Sequence, residues 1–181
     1  MYLSDRDILG AVQAEKLTLS DFDVARLNPA SYDILLGNKF LIAERHQSAS
    51  IDPVNKILPE YQEVIIWDDE HFILHPGSNV LGHSRDYFGS KEYLIQLSGK
   101  SSLARIGLVI HNTAGIINPG HFLNIVFELS NFNNLPIILR PGMRIGQLTF
   151  SQITSSPDKW YDVTGRYHTE NWKAYVPEKT V

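Results

Sequence analysis

The chain is written in short apolar runs that never last long enough to make a packed helix, and this interruption limits its fold more than any other feature. Runs rich in β-branched or aromatic residues cover Phe40 to Ala43, Glu63 to Trp67, Phe72 to His75, Tyr93 to Leu97, Leu108 to His111, Ile125 to Ser130 and Ile145 to Ile153. Clusters of Pro, Gly, Asn and Ser separate them, as hairpin turns require. The spacing predicts an antiparallel barrel or sandwich. Only the start reads as a helix: Ser4 can cap it, Asp5 and Asp7 suit its first turn, and Ile8, Val12 and Leu17 lie roughly on one side. Ser101 to Ile106 reads as one capped helical turn with outward-facing amides and hydroxyls, where anions bind. His46 to Gln62, with Pro53 and Pro59, is expected to be the long loop, and the polar tail from about residue 156 is expected to be mobile without a ligand.

With 181 residues, 43% hydrophobic and 20% charged, residues 1–181 make one domain with a core of its own. The formal net charge of −4 argues against a general nucleic-acid binder, although a small anionic ligand needs only a local cluster of cations. The chain has no cysteine, which removes disulfides and thiolate chemistry. It also shows no charged-then-apolar leader and no long apolar run, so a soluble cytoplasmic protein without membrane contact is expected.

Chemistry concentrates between Gly99 and Asn131. Gly99-Lys100-Ser101-Ser102 is not a phosphate-binding P-loop, because that motif needs a glycine where this chain has Leu94. In Ile125 to Leu129, alternation puts Ile125, Phe127 and Leu129 on one face and Val126 with Glu128 on the other. By pattern alone Glu128 is a solvent-facing carboxylate, Arg105 a surface cation, Ser101 and Ser102 a helix cap, and Thr113 to Gly120 a strand entering a tight turn.

Residue after residue, this stretch resembles the signature of the dCTP deaminases, members of the trimeric dUTPase superfamily. The likeness extends to Leu3 to Ile8, Asn28 to Asp33, Leu36 to Phe40, His75-Pro76-Gly77, Leu135 to Ile137 and Arg140 to Leu148. It weakens between about residues 43 and 70, and after Tyr161, where His168 to Trp172 replace the family's Gly-rich tail. The resemblance implies a mainly β fold, a dUTPase-like distorted β-barrel or jelly roll with a short N-terminal helix. It further implies a homotrimer with sites at subunit boundaries, converting dCTP and water to dUTP and ammonia and so feeding dUMP and thymidylate synthesis.

Site roles follow from the same resemblance. Glu128 is the general base and then the acid, a task one carboxylate can perform in turn. Arg105 and Ser101 sit with it around the water and the cytosine, and Ala114 brings its main chain close to both. Val126 and Phe127 border the substrate. Lys100, Ser101, Ser102 and Arg105 face the triphosphate, and Tyr161, Arg166 and Glu170 fall where the family closes over the ligand with a tyrosine, a lysine and a glutamine. Arg166 suits phosphate. Glu170 is repelled by it unless it faces Mg²⁺. Magnesium is expected to arrive with the triphosphate rather than at a protein metal site. Zinc is not expected, since the zinc deaminases take thiolate ligands that this chain lacks. His71, His75, His83, His111 and His121 show no ligand spacing and read as structural or surface residues. dTTP is the inhibitor the family suggests.

Two departures bear on the product. Asn118 stands where the family has the aspartate of Asp-Pro-Gly; its amide can still bond the 3'-hydroxyl but cannot act as a base near neutral pH. Ile116, where some deaminases carry a polar or basic residue, points instead to the bifunctional enzymes that hydrolyse dUTP to dUMP. Asn118 changes the available chemistry and Ile116 only the wall, so the expected product is dUTP. The alternatives are a bifunctional dCTP deaminase and dUTP diphosphatase, or a non-catalytic nucleotide-binding regulator of the same fold.

Overall fold

The computed structural model describes residues 1–44, 50–55, 57–67 and 69–165. In chain order these form α1 (Asp5–Gln13), β1 (Thr18–Leu19), a 3-10 turn (Val24–Arg26), β2 (Leu27–Asn28), β3 (Ser31–Ala43), β4 (Tyr61–Ile65) and β5 (Phe72–Leu74). Then come β6 (Asn79–Ser84), β7 (Phe88–Gly89), β8 (Tyr93–Gly99), α2 (Ser101–Ala104), β9 (Leu108–Val109) and β10 (Ile116–Ile117). β11 (Val126–Asn131), β12 (Ile137–Leu139), β13 (Arg144–Gln152) and α3 (Tyr161–Thr164) complete the order. The protein is mainly β, as the interrupted runs require.

One antiparallel sheet carries the architecture, in the order β10-β8-β13-β3-β6-β11-β9 and curled into a half barrel, with β2 and β4 also paired to β3. β3 makes the curl. Its first half pairs with β13, through Tyr32 opposite Leu148 and Asp33 opposite Gln147, and its second half pairs with β6 and β4. The pairing with β6 shifts register between Leu36 and Phe40, where Gly37 and Asn38 lie. Along β11 the expected alternation is present: Ile125, Phe127 and Leu129 are buried in the core with Phe40, Leu97, Leu148 and Phe150, while Val126 and Glu128 are half-buried on the other face.

The helix α1 begins as the sequence suggests. Ser4 and Asp7 form a reciprocal capping box, and Ile8 and Ala11 face the core. Two strands escape the sequence pattern. β3 starts at Ser31 rather than Phe40, since Asp33 and Gly37-Asn38 break its apolar run, and β6 is masked by Gly82-His83-Ser84. Within the expected long loop, Asp52 and Ile57 exchange backbone hydrogen bonds. Within the expected mobile tail, Tyr161–Thr164 form α3, with Trp160 and Asp162 close to Gly120.

Gly37 exists for its neighbour. The His83 ring lies against its Cα, where any Cβ would overlap the imidazole. The Lys39 N–H donates to Nε2 at 3.3 Å, so Nδ1 carries the proton and donates to the Ser84 carbonyl at 2.8 Å. Burial holds this imidazole below its ordinary pKa. A ring fixed at both nitrogens cannot step aside. Gly37→Ala is therefore expected to lower stability by about 1–3 kcal/mol, seen as a lower urea midpoint at unchanged slope. An unmoved midpoint would show that the ring has another seat.

Candidate functional site

The site grows from the turn that leaves β8. After Gly99 the chain turns through Lys100 into α2, and Lys100 itself is the N-cap, with extended backbone and no side-chain cap. Ser101 and Ser102 are thus not caps. Both are exposed, and among the described residues neither hydroxyl has a hydrogen-bond partner. Arg105 ends the turn, also exposed and without an ion pair among the described residues.

Gly107, at φ 83°, then lets the chain drop into β9, which pairs with β11 through Val109 opposite Ser130. Beyond it, Ile110 is buried against Gly99 and Gly146, and a Cβ on Gly146 would stand 2.6 Å from its Cδ1. This close approach seats the β9 to β11 edge on the β8 to β13 pair. At the next turn the Asn112 N–H donates to Glu128 Oε2 at 3.1 Å. The backbone of Glu128 is paired to β6, with Leu81 opposite, while its carboxylate reaches this loop.

Ala114 follows, exposed, with neither its amide nor its carbonyl bonded among the described residues. Gly115 returns the chain to β8, its carbonyl accepting from Leu97 N at 2.7 Å. Asn118 opens a tight turn: its carbonyl accepts the His121 N–H at 3.0 Å, with Pro119 second and Gly120 third at φ 86°. That arrangement is the type II preference for Pro then Gly. The Asn118 side chain is exposed.

Contiguous elements therefore carry Ser101, Arg105, Ala114 and Glu128, yet within one chain no hydrogen bond or ion pair among the described residues joins Glu128 to Ser101 or Arg105. Val126 shares the Glu128 face. Phe127 does not: its ring is fully buried in the core, so a ligand on the Glu128 face can meet only its backbone. Tyr161 stacks on His121 with ring centroids 4.0 Å apart and lies against Gly165, beside the Asn118 turn rather than over Glu128. Arg166 and Glu170 lie outside the described residues. His71 and His75 are exposed, and His111 carries a buried Nδ1 with no hydrogen-bond partner among the described residues. No three His, Asp or Glu side chains among the described residues group to hold a metal ion, and no helix there is long and apolar enough to cross a membrane.

Lys100 is not a free cation. Its Nζ lies 2.5 Å from Asp33 Oδ1, and Arg144 Nη1 lies 3.5 Å from Asp33 Oδ2. The sequence pattern marks no role for Asp33 or Arg144. The available signal was a charged residue inside the apolar run Tyr32-Asp33-Ile34, on what proves to be a central strand.

A family model described as dCTP deaminase-like matches residues 2–153. A protein of Beutenbergia cavernae named "dCTP deaminase, dUMP-forming" is 42% identical over 163 residues, covering 89% of this chain and 84% of the relative. One of the same name from Corynebacterium jeikeium is 43% identical over 162 residues, covering 89% and 86%. Among solved structures, the 2'-deoxycytidine 5'-triphosphate deaminase of Agrobacterium tumefaciens superposes with a TM-score of 0.63 at 24% identity, covering 84% of this chain. The present chain spans 48% of that longer one.

Proposed function

The chain belongs to the dCTP deaminase family, and from that membership we propose that it hydrolytically deaminates dCTP, with Glu128 as the proton carrier. The observation that carries the reading is the placement of Glu128: a half-buried carboxylate on a rigid strand, oriented by one backbone amide, beside a loop whose peptide groups at Ala114 are unbonded. Water adds at C4 of the cytosine while Glu128 takes its proton. The same carboxyl then delivers a proton to N3 and, after a second transfer, to the departing amine, so that dCTP and water become dUTP and ammonia. Ser101 and Arg105 orient the water and the ring; a guanidinium that stays charged suits this, as does an unbonded hydroxyl. Lys100, Ser101, Ser102 and Arg105 receive the triphosphate, with Mg²⁺ carried in by the phosphates.

In this reading the active unit is a homotrimer with its sites at subunit boundaries. Support comes from the exposed, unpartnered Ser101 and Arg105 and from the exposed apolar side chains of Ile106, Ile116, Phe132 and Leu135. Apolar exposure of this kind marks interaction surfaces. A cytoplasmic location and inhibition by dTTP complete the proposal.

The fate of dUTP divides two readings. The names of the relatives favour a second hydrolysis, dUTP and water giving dUMP and diphosphate. Asn118 favours release of dUTP, because its amide cannot accept a proton from an attacking water near neutral pH. The first reading leads, resting on close relatives that span most of the chain. Incubation of the protein with dCTP and Mg²⁺ is expected to release ammonia, dUMP and diphosphate in equal amounts by ion-pair chromatography. Ammonia with accumulating dUTP would assign the product to the Asn118 amide, and Asn118→Asp would then be the variant to gain diphosphate release. Nucleotide binding without ammonia would remove the deaminase reading and leave a regulator.

A further inference from the structure

We infer that Asp33 is a positioning residue for the phosphate end of the site, fixing Lys100 and Arg144 side by side as a preset pair of cations for the triphosphate. The inference rests on the proposed deaminase reading, which places the phosphates beside Lys100. Asp33 is 2% exposed, on the half of β3 that pairs with β13. Both of its oxygens are committed: Oδ1 accepts from Lys100 Nζ at 2.5 Å and from Asn28 Nδ2 at 3.1 Å, and Oδ2 faces Arg144 Nη1 at 3.5 Å.

The two cations reach this carboxylate from different strands, Lys100 from the end of β8 and Arg144 from the start of β13. Two like charges so close repel, and a buried carboxylate between them removes the repulsion. Neither cation is used up. An ammonium has three donors and a guanidinium five, and the Lys100 and Arg144 side chains remain 23% and 47% exposed. Donors held in fixed directions lose less freedom when an anion arrives.

Polar groups beside the carboxylate link the strands that carry it and its cations. Gln147, opposite Asp33 in register, accepts from Ser31 Oγ at 3.2 Å and donates from Nε2 to the Gly99 carbonyl at 3.4 Å, next to Lys100. A polar row thus crosses β3, β13 and β8 and ends where α2 begins. Glu128 lies on β11, separated from β3 by β6, and no hydrogen bond among the described residues joins it to this row, so the row is expected to act on the phosphates rather than on the proton transfers.

Inorganic tripolyphosphate tests this by reporting on the phosphate end alone, with deoxycytidine reporting on the base end. Calorimetry with Asp33→Asn is expected to show about tenfold weaker tripolyphosphate binding, the scale of one lost charge-assisted contact, with deoxycytidine binding unchanged. KM for dCTP should rise while kcat at saturation holds, and Asp33→Glu should recover part of the loss. Tripolyphosphate binding that is unchanged or tighter in Asp33→Asn would overturn the inference, as would equal losses for both probes, which would mean a purely structural carboxylate. Should Asp33→Asn fail to fold, Arg144→Gln at the half-exposed partner replaces it, with the same selective loss expected and an unchanged affinity counting against. Wild-type protein that binds no dCTP would sink the deaminase reading, whereas wild type that binds dCTP with insensitive variants sinks only the role of Asp33.

Discussion

Replacing Glu128 by glutamine is expected to leave dCTP affinity nearly intact and to lower kcat by roughly 10²- to 10⁴-fold, the range for a lost acid-base group. The isosteric amide keeps the shape of the side chain, and its oxygen can still accept the Asn112 N–H that holds Glu128 Oε2 at 3.1 Å. Only the proton is lost. Phe127 and Leu129, fully buried on the opposite face, keep the strand where it is, so the variant should unfold at the parent's midpoint. Steady-state ammonia release against dCTP concentration separates kcat from KM. Turnover near the parent rate would take Glu128 out of the mechanism.

Loss of Asp86 is expected to be the most damaging single change to stability. Arg26 Nη1 and Asp86 Oδ1 are 2.6 Å apart, with side chains 5% and 2% exposed. Asp86 Oδ2 accepts from Leu35 N at 2.7 Å, and Arg26 donates from Nη2 to the Asp21 carbonyl at 2.6 Å, its guanidinium 4.6 Å over the Tyr32 ring. A guanidinium cannot shed its charge when its partner is removed. Asp86→Ala leaves it buried and uncompensated, at a cost of about 3–5 kcal/mol. The double variant Arg26→Met with Asp86→Ala removes the stranded charge and is expected to be more stable than Asp86→Ala alone. Urea denaturation of both decides; a single variant within about 1 kcal/mol of the parent, typical of an exposed pair, would show that water reaches the guanidinium. The pair matters beyond stability because it ties β3, close to Asp33, to the loop leaving β6.

How much of the fold and the site is legible in the sequence depends on the range of the physics. Alternation is local, and on its own it puts Phe127 and Leu129 in the core and Glu128 on the other face, where the folded strand has them. The capping box at Ser4 and Asp7 lies within one turn and is equally readable in outline. The central strands β3 and β6 read as shortened or absent because their polar residues answer to partners distant in sequence: Asp33 to Lys100 and Arg144, and His83 to Gly37. No window along the chain contains those pairs. For the same reason the tether from Lys100 to Asp33 is invisible in the sequence, whereas the buried Phe127 ring, which leaves only its backbone to border a ligand, follows from alternation alone. Ser101 and Ser102 read as caps because serine favours that place, yet the turn starts one residue earlier.

The two faces of β11 answer to separate demands. Its inward side chains are fixed by packing, its edges by pairing to β6 and β9, and the Glu128 side chain takes part in neither. Inheritance can therefore act on the chemistry of this strand without touching the architecture. Under the proposed deaminase reading, a lineage that replaced this one carboxylate would keep the curled sheet and any assembly built on it, and would hand selection a folded receptor for deoxynucleotides in place of a catalyst. Sensors descended from enzymes need such a route, in which activity is lost in one step while the binding surface stays whole.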